Sequence, residues 1–189
     1  MKIDQMIEAA VHVNELQRFQ HYYLINFYAD DIGWPMRVPA EYSDGYCSIR
    51  AESGEWARDD RRLQWCFDDA QGLHRALNYP GLKAVTVVCR FNSVFAFQDD
   101  AITKDIDFPF YRIKGHSGLN TAFEDRANFG LVPVEGEKWF NIISLATFNG
   151  SPTYISCGPK NGPSVWAEPE SWAKRGVSDL RWIAVPAPE

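Results

Sequence analysis

The chain has little that would mark a metal, membrane or nucleic-acid protein. Its four cysteines, Cys47, Cys66, Cys89 and Cys157, are widely spaced and form no Cys-x-x-Cys pair. The thiolate spacing of a structural zinc is therefore missing, no metal site is expected, and free thiols are. No apolar run reaches the roughly 20 residues that a membrane-crossing helix needs. The opening MKIDQMIEAA places Asp4 and Glu8 where a secretory leader would be apolar, so a cytoplasmic location is the expectation. Clustered basic charge is also lacking. Nineteen Lys and Arg stand against 25 Asp and Glu, a net charge of -6, and the basic residues are scattered, which argues against direct nucleic-acid binding. Aromatic residues, in contrast, are plentiful at 14 %, with seven Trp, a composition that supplies a packed core and excludes a largely disordered chain.

Neither Gly nor Pro occurs in the first 32 residues, and Ile3, Met6, Ile7, Ala10, Val13 and Leu16 recur at helical spacing. This predicts an amphipathic helix over residues 3–20. A second helix is predicted over residues 60–78, where Leu63, Cys66, Phe67, Ala70, Leu73 and Leu77 step by three and four behind an acidic first turn, Asp59 and Asp60. Strands are expected at 21–29, 82–91, 93–98 with a turn at Asn92-Ser93, 108–114, 138–148, 152–156, 164–168 and 179–186. A short helix ending at Gly130 and a hairpin turn at Asn149-Gly150 complete the reading. No internal repeat is evident. The sum is one α+β domain, residues 1–189, with a mainly antiparallel sheet packed against two amphipathic helices.

The stretch FPFYRIKGHSG, residues 108–118, brings the most chemistry into one place. Strand alternation puts Phe108, Phe110, Arg112 and Lys114 on one face, so Arg112 shares a face with two aromatics and suits an anion such as a pyrophosphate. His116 and Ser117 sit in a short turn bracketed by glycines in this reading. The spacing Gly-His-Ser-Gly is one residue too short for a nucleophile elbow, which excludes that hydrolase motif. Arg112 in FYRIK, Ser144 in ISLATF, and Glu170, which forms a Glu-x-Glu with Glu168, look like the Arg, Ser, Glu arrangement of ADP-ribosyltransferases. The resemblance covers about 60 residues, with Ser-Leu-Ala-Thr for the family's Ser-Thr-Ser and Pro169 inside the Glu-x-Glu. It implies an NAD-binding enzyme in which Arg112 holds the phosphates, Ser144 steadies the ribose site and Glu170 stabilises developing positive charge.

The leading expectation is different: a non-catalytic protein-binding module, inhibitor- or immunity-like or an accessory protein of a mobile element, that needs no cofactor. It would act through an acidic, aromatic-rich surface. Its contact candidates are Trp166, Lys160 and Asn161 in a Gly-Pro-rich loop region, and Trp172. A third expectation, nucleic-acid mimicry, rests on the pairs Asp30-Asp31, Asp59-Asp60, Asp68-Asp69 and Asp99-Asp100.

Overall fold

The computed structural model describes residues 2–29, 32–39, 46–51, 57–70, 77–104, 109–117, 126–146, 152–157, 164–173 and 179–189. Three successive groups of strands share one plan. The first holds β1 (His21–Ala29), β2 (Ile32–Arg37), the short β3 (Tyr46–Ser48) and β4 (Arg50–Ala51), and β5 (Gln64–Asp69). The second holds β6 (Lys83–Cys89), β7 (Val94–Lys104), β8 (Pro109–Ser117) and β9 (Asn128–Pro133). The third holds β10 (Phe140–Ser144), β11 (Thr153–Cys157), β12 (Val165–Pro169) and β13 (Trp182–Pro186).

The first and last strands of each group pair with each other, and each last strand pairs with the first of the next group. β1 joins β5, β5 joins β6, β6 joins β9, β9 joins β10, β10 joins β13, and β13 returns to β1, all antiparallel. The result is a closed six-stranded barrel with no free edge. The inner strands of each group, β2 and β4, β7 and β8, β11 and β12, form hairpins that fold over one end as a cap. A barrel capped by three hairpins with pseudo-threefold symmetry is a β-trefoil.

Register makes the symmetry quantitative. Tyr22 pairs with Trp65, Val85 with Phe129 and Phe140 with Trp182, so these three pairs occupy equivalent places. Two residues further along, Leu24, Val87 and Ile142 line a central void of about 10 Å³ with Met36, Ala96 and Ile155 from the second strands. Every lining residue is apolar, so the void gives water no partner and stays dry. The repeat that the sequence did not display is thus present in three dimensions.

The expectation of an α+β fold with two amphipathic helices is overturned. The first helix, α1, covers only Ile3–Ala9, and a single 3-10 turn follows at Val13–Glu15. Its Ile3 and Met6 pack on the outside of the barrel with Ile25, Phe27, Ile183 and Val185. The helix predicted over 60–78 is a 3-10 turn, Arg61–Leu63, running into strand β5. Here Gln64, Trp65, Cys66 and Phe67 are all buried because β5 lies between β1 and β6 in the barrel wall. Burial on both faces erases the two-residue alternation of a strand, and the remaining apolar spacing then mimics a helix. Residues 71–76 of that prediction lie outside the described residues.

Two turn readings also change. Gly115 and His116 are not in a turn but inside β8, paired with Cys47 and Tyr46 on one side and Ala96 and Phe95 on the other. A Cβ on Gly115 would sit 2.5 Å from Val94 Cγ1 and 2.9 Å from Cys47 Sγ, so glycine is needed for strand approach. Gly130 does not end a helix. It lies in β9 opposite Ala84 and Ile143. The turn at Asn92-Ser93 is present, with φ of 54° and 50°, values that suit the tight right-twisted hairpin between β6 and β7. The turn expected at Asn149-Gly150 lies outside the described residues.

Candidate functional site at the apex of the cap

The three hairpins meet where their third strands converge. Ile49 N–H donates to Ile113 O at 2.9 Å, and Val165 N–H donates to Ile49 O at 3.1 Å. Ile49, Ile113 and Val165 are 0 %, 2 % and 1 % exposed, one from each unit, and close the cap around the pseudo-threefold axis. The residues immediately before them are Ser48, Arg112 and Ser164. Since side chains alternate along a strand, these three turn away from the core that their neighbours fill. They line a cleft of about 180 Å³ with Phe110 and Trp166.

The symmetry is broken in a chemically useful way: one unit contributes a guanidinium, and the other two contribute hydroxyls. Arg112 is exposed and forms no ion pair among the described residues. Ser48 and Ser164 are half-buried beside it. Opposite Arg112 across the β8–β12 pairing stands Trp166, whose ring lies 5.4 Å from that of Phe110 at 39°. Both aromatics are buried and form a stiff apolar wall rather than an exposed anchor. A fixed charge, two hydroxyl donors and an apolar wall suit a single anionic group presented by a larger molecule.

The predicted residues distribute unevenly over this structure. Arg112 and Trp166, singled out for separate reasons, are cross-strand neighbours in one cleft. Ser144 is 1 % exposed in the barrel wall, where its Oγ accepts from Ala146 N–H at 3.2 Å. Glu170 begins the short helix α2 (Glu170–Ala173), next to Pro169, which pairs with Thr153. Of the three residues that resemble the ADP-ribosyltransferase set, Arg112 alone lines the apex cleft. Glu168, the other half of the Glu-x-Glu, is buried and accepts from Ser156 Oγ at 2.9 Å. Lys160 and Asn161 lie outside the described residues, as does the side chain of Trp172.

The acidic pairs are largely compensated. Asp60 is clamped by Arg62, Asp68 by Arg18, Asp99 by Lys114 and Asp100 by Arg126. Asp30 and Asp31 lie outside the described residues. Sequence reasoning missed Ser48 and Ser164. Isolated serines carry no motif, and only the threefold alignment of Ser48-Ile49, Arg112-Ile113 and Ser164-Val165 identifies them.

No family model matches the sequence, and no curated protein matches it. Solved structures match the fold. The binding domain of botulinum neurotoxin serotype D, crystallised with N-acetylneuraminic acid, superposes with a TM-score of 0.60 at 13 % identity, over 97 % of this chain and 46 % of that one. This chain therefore spans less than half the length of those toxin chains. A water-soluble chlorophyll protein from Brassica oleracea var. Botrytis, holding chlorophyll-b, gives 0.54 at 12 % identity, over 95 % of this chain and 99 % of that one. A Caenorhabditis elegans protein of unknown function gives 0.55 at 12 % identity, covering 92 % and 98 %. The toxin and chlorophyll proteins are ligand- or receptor-binding proteins, which is consistent with a partner-binding role for this chain.

Proposed function

We propose that this protein is a non-catalytic binding module that engages its partner through an anionic group held at the apex of the cap. The observation that carries this reading is the convergence of Ser48, Arg112 and Ser164 on the pseudo-threefold axis, with one guanidinium that has no ion-pair partner among the described residues set beside two hydroxyls. Guanidinium forks hold carboxylates and phosphates in two-point contact, and flanking hydroxyls satisfy the remaining lone pairs. The buried Trp166 and Phe110 beside them keep the cleft's shape without rearrangement, so little ordering cost opposes binding. A toxin binding domain that shares this fold over 46 % of its length was crystallised with N-acetylneuraminic acid, a carboxylate-bearing sugar, which motivates the choice of probe.

The test is isothermal titration of the protein with N-acetylneuraminate and with NAD, a pyrophosphate carrying flat bases, alongside neutral N-acetylmannosamine. Saturable binding of either anion, absent for the neutral sugar and lost in Arg112→Ala, supports the reading. Absence of binding for both anions, or equal binding by Arg112→Ala, overturns it.

A further inference from the structure

The opposite end of the barrel carries a second cleft, larger than the first. It occupies about 340 Å³, within the usual range for small-molecule sites. Three segments build it: His12, Val13 and Asn14 after α1; Gly81 and Lys83 at the entry to β6; and the β9–β10 turn from Pro133 to Trp139. The turn is tight, with Glu137 N–H donating to Val134 O at 3.1 Å and Gly136 at φ of 79°. A Cβ at Gly136 would meet nothing within 4 Å, so glycine there answers to its left-handed φ rather than to crowding.

The polar groups of the cleft are fixed by contacts that leave binding capacity unused. Lys83 Nζ donates one hydrogen bond, to Leu16 O at 2.7 Å, which leaves two ammonium protons. No carboxylate lies within ion-pair distance of it among the described residues, although the residue is half-buried. His12 Nδ1 lies 3.2 Å from Glu137 O. A carbonyl can only accept, so Nδ1 carries the proton, and in the neutral ring Nε2 is left as an acceptor. Glu137 thus turns its main-chain carbonyl toward His12, and its own carboxylate stays exposed at the rim. Half-buried Trp139, with Val13, Pro133 and Val134, provides the apolar surface.

A half-buried ammonium with no carboxylate in ion-pair reach among the described residues, and an indole lining the same cleft of ligand size, define a ligand with two parts. We infer that the barrel base is a binding site for a small organic acid with a flat apolar body, its carboxylate on Lys83 and its ring against Trp139. The cap is not involved, so this site and the apex cleft are independent.

The experiment uses the whole chain, with indole-3-acetate and benzoate as probes and benzyl alcohol as the neutral control. Binding is read by ligand-observed saturation-transfer NMR and by titration of backbone amide shifts around Lys83 and Trp139. The expected result is saturable binding of an acid, undetectable for benzyl alcohol and weakened at least tenfold in Lys83→Met. That variant keeps the aliphatic stem and removes the charge. Lys83→Arg retains binding and shows that any loss is not a folding defect. Failure of both acids to bind, shifts mapping away from the base, or equal affinity in Lys83→Met overturns the inference.

Discussion

Trp65 and Trp182 hold the same position in the first and third units, and each donates its indole N–H at 2.8 Å to a main-chain carbonyl of its own unit's second strand. The acceptors are Met36 O and Ile155 O, and both indoles are wholly buried. The second unit has Phe129 there, which fills the space but has no donor. Two of the three barrel-to-hairpin joints are therefore pinned by a directional bond.

Replacing either indole by phenyl removes a buried donor and leaves a carbonyl unpaired. Trp65→Phe and Trp182→Phe are each expected to cost about 1–3 kcal/mol, read as a lower urea midpoint with an unchanged slope.

Backbone constraint gives a pair of substitutions with opposite signs. Gly115→Ala forces a methyl against Val94 and Cys47 and is expected to destabilise by about 1–3 kcal/mol through overpacking. Phe19 sits at φ of 64° while 58 % exposed, a backbone conformation that costs most side chains but that asparagine tolerates. Phe19→Asn is expected to stabilise by roughly 1 kcal/mol. Thermal melts of the two variants against the parent check both signs.

Acid sensitivity follows from two clamped carboxylates. The Arg62 side chain, hydrogen-bonded to Asp60, holds that carboxyl below its ordinary range despite partial burial. Burial pushes the Asp99 carboxyl up, but the hydrogen bond and charge of Lys114 outweigh it and the net direction is down. A carboxyl depressed in the folded state binds its proton more readily when unfolded. Its stabilisation is thus full above the unfolded value of about 3.9 and is lost as pH falls through the folded one. Melting temperature should drop below about pH 4 as these carboxyls are protonated, after a smaller decline that begins below about pH 6.5 because burial lowers the His21 pKa and disfavours its charged ring in the folded protein. The deficits of Arg62→Met and Lys114→Met, clear at neutral pH, should shrink across the same acid window.

The thiols give a probe of global unfolding. All four cysteines are free and buried, and burial pushes the Cys47 thiol up to about 11 and the Cys89 thiol up to about 12. Thiolate is the reactive form. An aromatic disulfide reagent at pH 8 should leave the native protein essentially unmodified and titrate all four groups in denaturant. Fast modification of Cys89 in the native state would contradict this packing.

Much of the strand pattern was legible because β1, β6, β8, β11, β12 and β13 carry β-branched and aromatic residues between turn signals. What failed was β5, where burial on both faces removed the alternation, and with it went the fold class. The repeat left faint traces before each unit's last strand. Asp60-Arg61-Arg62 precedes Leu-Gln-Trp65, Glu124-Asp125-Arg126 precedes Ala-Asn-Phe129, and Asp179-Leu180-Arg181 precedes Trp182. In the first and third, the arginine folds back on its acid with near-identical geometry, Nη2 to Oδ2 at 2.6 Å in both. Three such traces at unequal spacing are too sparse to establish a repeat without coordinates. Of the candidate site, Arg112 was visible as a charge among aromatics, whereas its partners depended on alignment of three hairpins distant in sequence.

Closure of the ring through β1 and β13, with Tyr22 paired to Pro186, has a consequence for how the protein is made. A ribosome delivers β1 early and β13 late, so until then β1 and β10 each present an unpaired edge that no later local rearrangement can cover. Closure of the ring therefore waits for a contact of very long sequence separation, which costs loop entropy before it stabilises. The slow step of folding is then expected to be the docking of β13 between β1 and β10.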